Sequence, residues 1–185
     1  LNIDNFFVPQ LPSDGCLALG AAIEAIPYKE RHKIDLSNPY LGFKYSSKEI
    51  IQSLKLTKAK VKKYDSSKII NLLKNKGVVG FFNGKSEFGP RALGARSILA
   101  FPKFKDMKDI VNSKIKFRES FRPFAPVVRD IDFDKYFYRG TGNYEFMNYV
   151  VNAKKITRSD APSIVHEDGT SRVQILEKGY NNRLY

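Results

Sequence analysis

The most constraining stretch of the chain is a fourteen-residue block, Gly84-Lys85-Ser86-Glu87-Phe88-Gly89-Pro90-Arg91-Ala92-Leu93-Gly94-Ala95-Arg96-Ser97. Three glycines and a proline break any continuous helix or strand and call for a loop of defined backbone geometry. The block follows directly on Val78-Val79-Gly80-Phe81-Phe82, a short apolar run that reads as a strand buried on both faces. Loops at strand ends are where α/β proteins place ligands. Glycines let backbone N–H groups approach phosphate oxygens, and arginine offers a planar two-pronged donor. Lys85, Arg91 and Arg96 supply the charge here, with Glu87 as the single carboxylate. The spacing is not that of a Walker loop. The bland alternative is a turn held by a Glu87–arginine pair.

Around this block the chain alternates helix and strand signals. Phe6-Phe7-Val8 reads as a short strand, Pro9 to Gly15 as a loop and Cys16 to Ala25 as a helix. Pro27 to Pro39, with proline at both ends and charges between, reads as a linker at a domain boundary. Ser46 and Glu49 have capping-box spacing and open a helix to about Leu56. Ser66 is expected to cap a second helix, with Ile69, Ile70, Leu72 and Leu73 as its apolar face and Gly77 as its C-cap. Further on, strands are expected at Ser97–Ala100, Ala125–Val128, Tyr144–Asn152, Ser163–His166 and Arg172–Leu176. A helix is expected over Asp106–Lys114, with Met107, Ile110 and Val111 on one side, and a helical turn at Asp134–Tyr138. That order predicts an α/β or α+β fold with several strands in one mixed sheet.

Charge narrows the partners. The net charge is +13, and 21 of the 32 Lys and Arg residues lie between positions 41 and 129, against six of the 19 Asp and Glu. An anionic partner is expected there: a phosphate compound, a nucleic acid or a membrane surface. The lysines between Lys44 and Lys76 are spaced as helix surface and read as solvated. A single cysteine, Cys16, excludes an internal disulfide and fits a reducing cytoplasm. No apolar run approaches the roughly 20 residues that span a bilayer. The start shows no secretory signal, and the missing initiator Met suggests a piece of a longer chain.

A second constellation is Lys116-Phe117-Arg118-Glu119-Ser120-Phe121-Arg122-Pro123-Phe124-Ala125-Pro126. If extended, it places Lys116, Arg118 and Arg122 on one face, with Phe117 and Phe121 filling the other. If helical, it pairs Arg118 with Arg122 at i, i+4. Either way, positive charge gathers over an apolar base, which suits an anion held out of bulk water.

These two blocks, with Asp168-Gly169-Thr170-Ser171-Arg172-Val173-Gln174, resemble in order the signatures of the NodU-type O-carbamoyltransferases. Those read much like Gly-Arg-x-Glu-x-Gly-Pro-Arg-Ala-Leu-Gly-x-Arg-Ser-Ile, Lys-Phe-Arg-Glu-x-x-Arg-Pro-Phe-Ala-Pro and Asp-Gly-Thr-Ala-Arg-Val-Gln. The resemblance covers about Tyr40 to Tyr185. It implies a YrdC-like mixed twisted sheet with flanking helices over residues 40–185, a linker at 29–39, and at 1–28 the strand-loop-helix tail of a sugar-kinase-like N-terminal domain. Leu11 to Ala22 matches the last loop and helix of that domain, although Ser13 stands where glycine is usual. Lys85 stands where the family often has Arg, and Ala95 where Asn is usual.

The resemblance further implies two stages. The C-terminal domain would take carbamoyl phosphate and ATP, release phosphate and pyrophosphate, and form carbamoyl-adenylate. The N-terminal domain would pass the carbamoyl group to a hydroxyl of a sugar or natural product. It would also hold most of any metal ion, leaving none to this chain. On this reading Arg91, Lys116 and Arg122 are catalytic and hold the carbamoyl phosphate and the nucleotide α-phosphate. Lys85, Glu87, Gly89, Arg96, Ser97, Arg118, Glu119 and Arg172 bind substrate. Among these, Glu87 and Glu119 are expected to orient arginines, Arg96 to pair with Glu87, and Ser97 to donate a hydrogen bond. His166, beside the third block, is expected to be structural or superficial, as is His32 in the linker. The expected protein is cytoplasmic, with no membrane partner. The rival readings are a non-specific nucleic-acid-binding module, whose affinity would fall steeply with salt, and a non-catalytic regulatory domain.

Overall fold

The computed structural model describes residues 8, 9 and 11–185 of the chain. In chain order the elements are helix α1 (Gly15–Glu24), a 3-10 helix (Tyr28–Lys33), α2 (Ser47–Lys55), α3 (Ser66–Lys74), strands β1 (Val78–Phe82) and β2 (Arg96–Ala100), and α4 (Met107–Val111). A π turn (Asn112–Lys116) continues α4 and is followed by β3 (Val127–Arg129), α5 (Phe133–Tyr136), β4 (Val150–Asn152), α6 (Lys155–Asp160), β5 (Thr170–Arg172) and β6 (Gln174–Leu176). The class is α+β. The strand expected at Phe6–Phe7 lies outside the described residues, and Val8 is not in a strand.

Local chemistry explains the helix ends. Ser46 and Glu49 close a full capping box on α2. The cap of α3 is Asp65 rather than Ser66, because its carboxylate accepts the Lys68 N–H at 3.2 Å. At the other end Lys76, not Gly77, takes the left-handed conformation (φ 61°). The N–H groups of Lys76 and Gly77 return to the Leu73 and Leu72 carbonyls, which is a complete Schellman closure. Ile69 and Leu73 are the half-buried face of α3, while Ile70 and Leu72 are exposed.

The six strands form three pairs rather than one continuous sheet. β1 and β2 are an antiparallel hairpin with Val78 opposite Ala100 and Phe82 opposite Arg96. β1 is therefore not buried on both faces: it has one partner strand, α3 packs beside it, and Phe82 is 59% exposed. β4 pairs antiparallel with β5, and β3 pairs parallel with β6. The single strand expected over Arg172–Leu176 is two, because the chain changes partner at Val173. The strand expected from Tyr144 shrinks to Val150–Asn152, since Tyr144 and Phe146 are buried in irregular chain and a turn instead. Pro162 opens a 3-10 helix where a strand was expected over Ser163–His166.

The core is assembled by the last third of the chain from Phe133, Phe137, Tyr144, Val151, Ala153, Ile164, Val173 and Ile175. The Phe133 and Tyr144 rings stack at 5.3 Å. Burial of each large side chain contributes about 1.5–3 kcal/mol. Strand alternation then decides the opposite face. Ser171, Val173 and Ile175 point inward, so Arg172 and Gln174 point the other way, into the cavity described next.

A candidate anion-binding cavity

Three segments distant in sequence enclose a cavity of about 280 Å³. The loop before β2 contributes Pro90, Arg91 and Gly94, and β2 itself Ser97. The π turn contributes Lys116, the stretch after it Arg118 and Phe124, and β5 with β6 contributes Arg172 and Gln174. Four cations thus face one hollow. No carboxylate lies within ion-pair distance of any of the four among the described residues. The Nε atoms of Arg91 and Arg172 are buried and have no hydrogen-bond partner there. Burial lowers the Arg172 pKa from the ordinary arginine value, and the neighbouring Arg91 and Arg118 lower it further. Arg118 is lowered by burial and by Arg122, with partial relief from Glu119. Arg91 and Arg172 thus carry buried, unpaired guanidinium nitrogens beside Lys116 and Arg118, an arrangement complementary to an anion.

The loop is held in place from within. Glu87 Oε1 accepts the N–H groups of Leu93 (2.8 Å), Ala95 (2.6 Å) and Arg96 (3.0 Å). Burial works to raise the Glu87 carboxyl, but the backbone donors together outweigh it and hold the group below its usual value. Glu87 therefore orients backbone, and no arginine pairs with its carboxylate. The Arg96 guanidinium instead binds the carbonyls of Asn83, Gly84 and Ala95 and sits 3.5 Å over the Phe82 ring. Ser97 Oγ lines the cavity and accepts the Gly94 N–H at 2.9 Å. Gly89 (φ 119°) and Gly94 (φ 102°) are needed twice over. Each lies in the left-handed region, and a Cβ would lie 2.3 Å from Leu11 or 2.5 Å from Leu184 respectively.

The second block is organised by Asn112, which is fully buried at the start of the π turn. Its Nδ2 donates to the Arg122 carbonyl (2.9 Å) and its Oδ1 accepts from Arg118 Nε (2.7 Å), so one amide sets both the turn and the arginine. The Arg118 guanidinium lies 4.6 Å over Phe124. The apolar base is therefore Phe124. Phe117 and Phe121, expected to fill that base, are 83% and 75% exposed, because the turn leaves extended and helical geometry altogether.

Of the expected site residues, Arg91, Lys116, Arg118, Arg172 and Ser97 meet at the cavity. Arg122 does not line it; it is exposed and lies 3.8 Å from Glu119. Lys85 borders a separate hollow with Lys44, Asn83 and Tyr180. Gly89, Glu87 and Arg96 shape the loop without lining the cavity. His166 Nδ1 is 3.0 Å from Thr170 Oγ1, and His166 stays outside the cavity lining; His32 is exposed. Asn112 and Asn181, whose Nδ2 donates to the Gly94 carbonyl at 2.7 Å, were given no role on sequence grounds. The readable signal for Asn112 was a polar residue directly following the apolar helix face of Met107, Ile110 and Val111.

Fold and cavity together define an α+β domain with a cation-lined hollow. The chain belongs to the carbamoyltransferase C-terminus family, whose model matches residues 70–185. Nodulation protein NolO of Bradyrhizobium diazoefficiens is 42% identical over 118 residues, covering 63% of this chain and 22% of that protein. Nodulation protein U of Rhizobium fredii is 31% identical over 182 residues, covering 98% and 30%. An uncharacterised protein of Methanocaldococcus jannaschii is 33% identical over 189 residues, covering 97% and 31%. The chain thus spans less than a third of the length of each of these relatives. Among the described residues no helix is long and apolar enough to cross a membrane, and no group of three or more His, Cys, Asp or Glu residues could hold a metal ion.

Proposed function

We propose that the cavity is where an O-carbamoyltransferase joins carbamoyl phosphate and ATP to form carbamoyl-adenylate. The observation that carries this reading is the convergence of Arg91, Lys116, Arg118 and Arg172 on one hollow, with no carboxylate within ion-pair distance of any of them among the described residues. Both substrates are polyanions, and transfer at phosphorus depends mainly on positioning and charge neutralisation.

In the first step water cleaves carbamoyl phosphate to carbamate and inorganic phosphate. A carbamate oxygen then bonds to the α-phosphorus of ATP as its bond to the β-phosphate oxygen breaks, and pyrophosphate leaves with the electron pair. Arg91, Arg172 and Lys116 hold the phosphate oxygens, and Arg118 orients over Phe124 toward the same charge. Arg122, exposed and near Glu119, adds positive charge beside the cavity without lining it. The carbamoyl group then passes to a hydroxyl of a sugar or natural product in the N-terminal domain of the same protein, with release of AMP. Any metal ion is held mainly by that domain. A cytoplasmic setting agrees with the free thiol of Cys16 and with both substrates.

The test is carbamoyl-phosphate-dependent exchange of labelled pyrophosphate into ATP by the full-length protein. Arg172→Ala removes at least one charge-assisted contact, so exchange should fall roughly 10- to 150-fold, as a loss of about 1.5–3 kcal/mol implies. Exchange that proceeds without carbamoyl phosphate, or none in the wild type, would overturn the reading.

A further inference from the structure

Gln174 is 3% exposed, yet it lines the cavity. Its backbone is fixed by β6, where its N–H donates to the Pro126 carbonyl at 2.9 Å. Its side chain is fixed by the Leu93 carbonyl, 2.9 Å from Nε2. That carbonyl also takes the Tyr40 hydroxyl at 2.8 Å. A carbonyl oxygen can only accept, so the amide group facing Leu93 must be the NH2. The other end of the amide, Oε1, has no hydrogen-bond partner among the described residues; the residue lines both this cavity and a smaller hollow that it shares with Tyr40 and Phe146.

The surrounding side chains make this oxygen distinctive. Arg91, Lys116, Arg118 and Arg172 can only donate hydrogen bonds. The oxygen of Ser97 already accepts the Gly94 N–H. Among the described residues, Gln174 is thus the one residue lining this cavity whose side chain carries a carbonyl. A simple phosphate would find no use for it. A ligand carrying phosphate at one end and an NH2 group at the other would use both kinds of group.

We propose that Gln174 is the specificity residue for the carbamoyl amino group: its Oε1 accepts from the NH2 of carbamoyl phosphate and rejects acyl phosphates that carry a methyl group there. The Leu93 carbonyl acts as the positioning group, since it fixes which way the amide points. This inference rests on the proposed function of the cavity.

Three probes separate the possibilities by calorimetric titration of the full chain: inorganic phosphate, phosphonoacetamide, and acetonylphosphonate. The last two are stable analogues that differ only in NH2 against CH3. The wild type should bind phosphonoacetamide about tenfold or more tightly than acetonylphosphonate, because the methyl group leaves a buried acceptor unpaired. Gln174→Met should bring that ratio close to one while phosphate and acetonylphosphonate affinities hold. Equal wild-type affinities for the two phosphonates would overturn the role of Gln174 and leave the cavity's anion-binding reading intact. A uniform loss of all three in Gln174→Met would overturn it too, reducing Gln174 to a tether for Leu93. Wild-type protein that binds none of the three would sink the cavity reading itself and this inference with it. Should Gln174→Met fail to fold, the wild-type preference alone decides.

Discussion

The Glu87 carboxylate belongs to an arginine-bearing loop and pairs with none of its guanidinium groups. Its three backbone donors come from Leu93, Ala95 and Arg96, on the far side of the loop that carries Arg91. A carboxylate in that position converts a glycine-containing loop into a fixed frame, so it serves the cavity by geometry rather than by charge. Glu87→Ala would leave those N–H groups without acceptors and should cost about 1–3 kcal/mol at pH 7, measured by urea denaturation. The folded-state pKa of Glu87 lies below its usual value. Its contribution is therefore present above the unfolded-state pKa and declines as the pH falls through the folded one. The gap between wild type and variant should narrow as the medium is acidified. Sequence alone made this residue visible, as the lone acid in a basic loop, but suggested an arginine partner. Backbone N–H groups are invisible in a residue string, so the stronger competitor for the carboxylate could not be weighed. The same blindness hid Asn112 and Gln174, whose amides matter through main-chain carbonyls.

Among the elements, the helices were the most legible, because their ends are set by neighbouring side chains: the Ser46–Glu49 box is as the spacing implies. Strands were legible as apolar runs but not as partners, since pairing is decided by distant segments. The change of partner at Val173 is the clearest instance. The turn from Asn112 to Phe124 was illegible, because neither period 2 nor period 3.6 describes it. Within it Phe117 has φ 48°, a conformation that is unfavourable for an aromatic residue, and its ring is exposed rather than packed. Nothing in the fold offsets that strain by burial. Phe117→Gly should therefore stabilise the chain by about 0.5–1 kcal/mol, after allowing for the extra freedom of glycine in the unfolded state. Equal or lower stability in thermal denaturation would show that the ring makes a contact the backbone angle does not suggest.

At the scale of the whole molecule, both ends of the described chain close on the loop that presents Arg91. Leu11, 3% exposed, fills the space over Gly89, and the Pro9 carbonyl accepts from Asn148 Nδ2 at 2.7 Å. From the other terminus, Asn181 binds the Gly94 carbonyl and Leu184 covers Gly94. Leu11 and Pro9, within the 1–28 segment read from sequence as the tail of another domain, therefore pack against the Arg91 loop and Asn148. One residue, Pro90, separates the Leu11 contact at Gly89 from Arg91, so the packing and the charge are mechanically linked. Leu11→Ala leaves a void at this seam and should cost about 2–4 kcal/mol of stability. Its second effect is the more telling. With Gly89 no longer held, Arg91 samples more orientations, and the dissociation constant for phosphonoacetamide should rise about tenfold, equal to about 1.4 kcal/mol. Leu11→Met, which refills the volume, should restore both. A variant that loses stability while binding the phosphonate at wild-type strength would show that the terminal segment supports the fold without tuning the cavity.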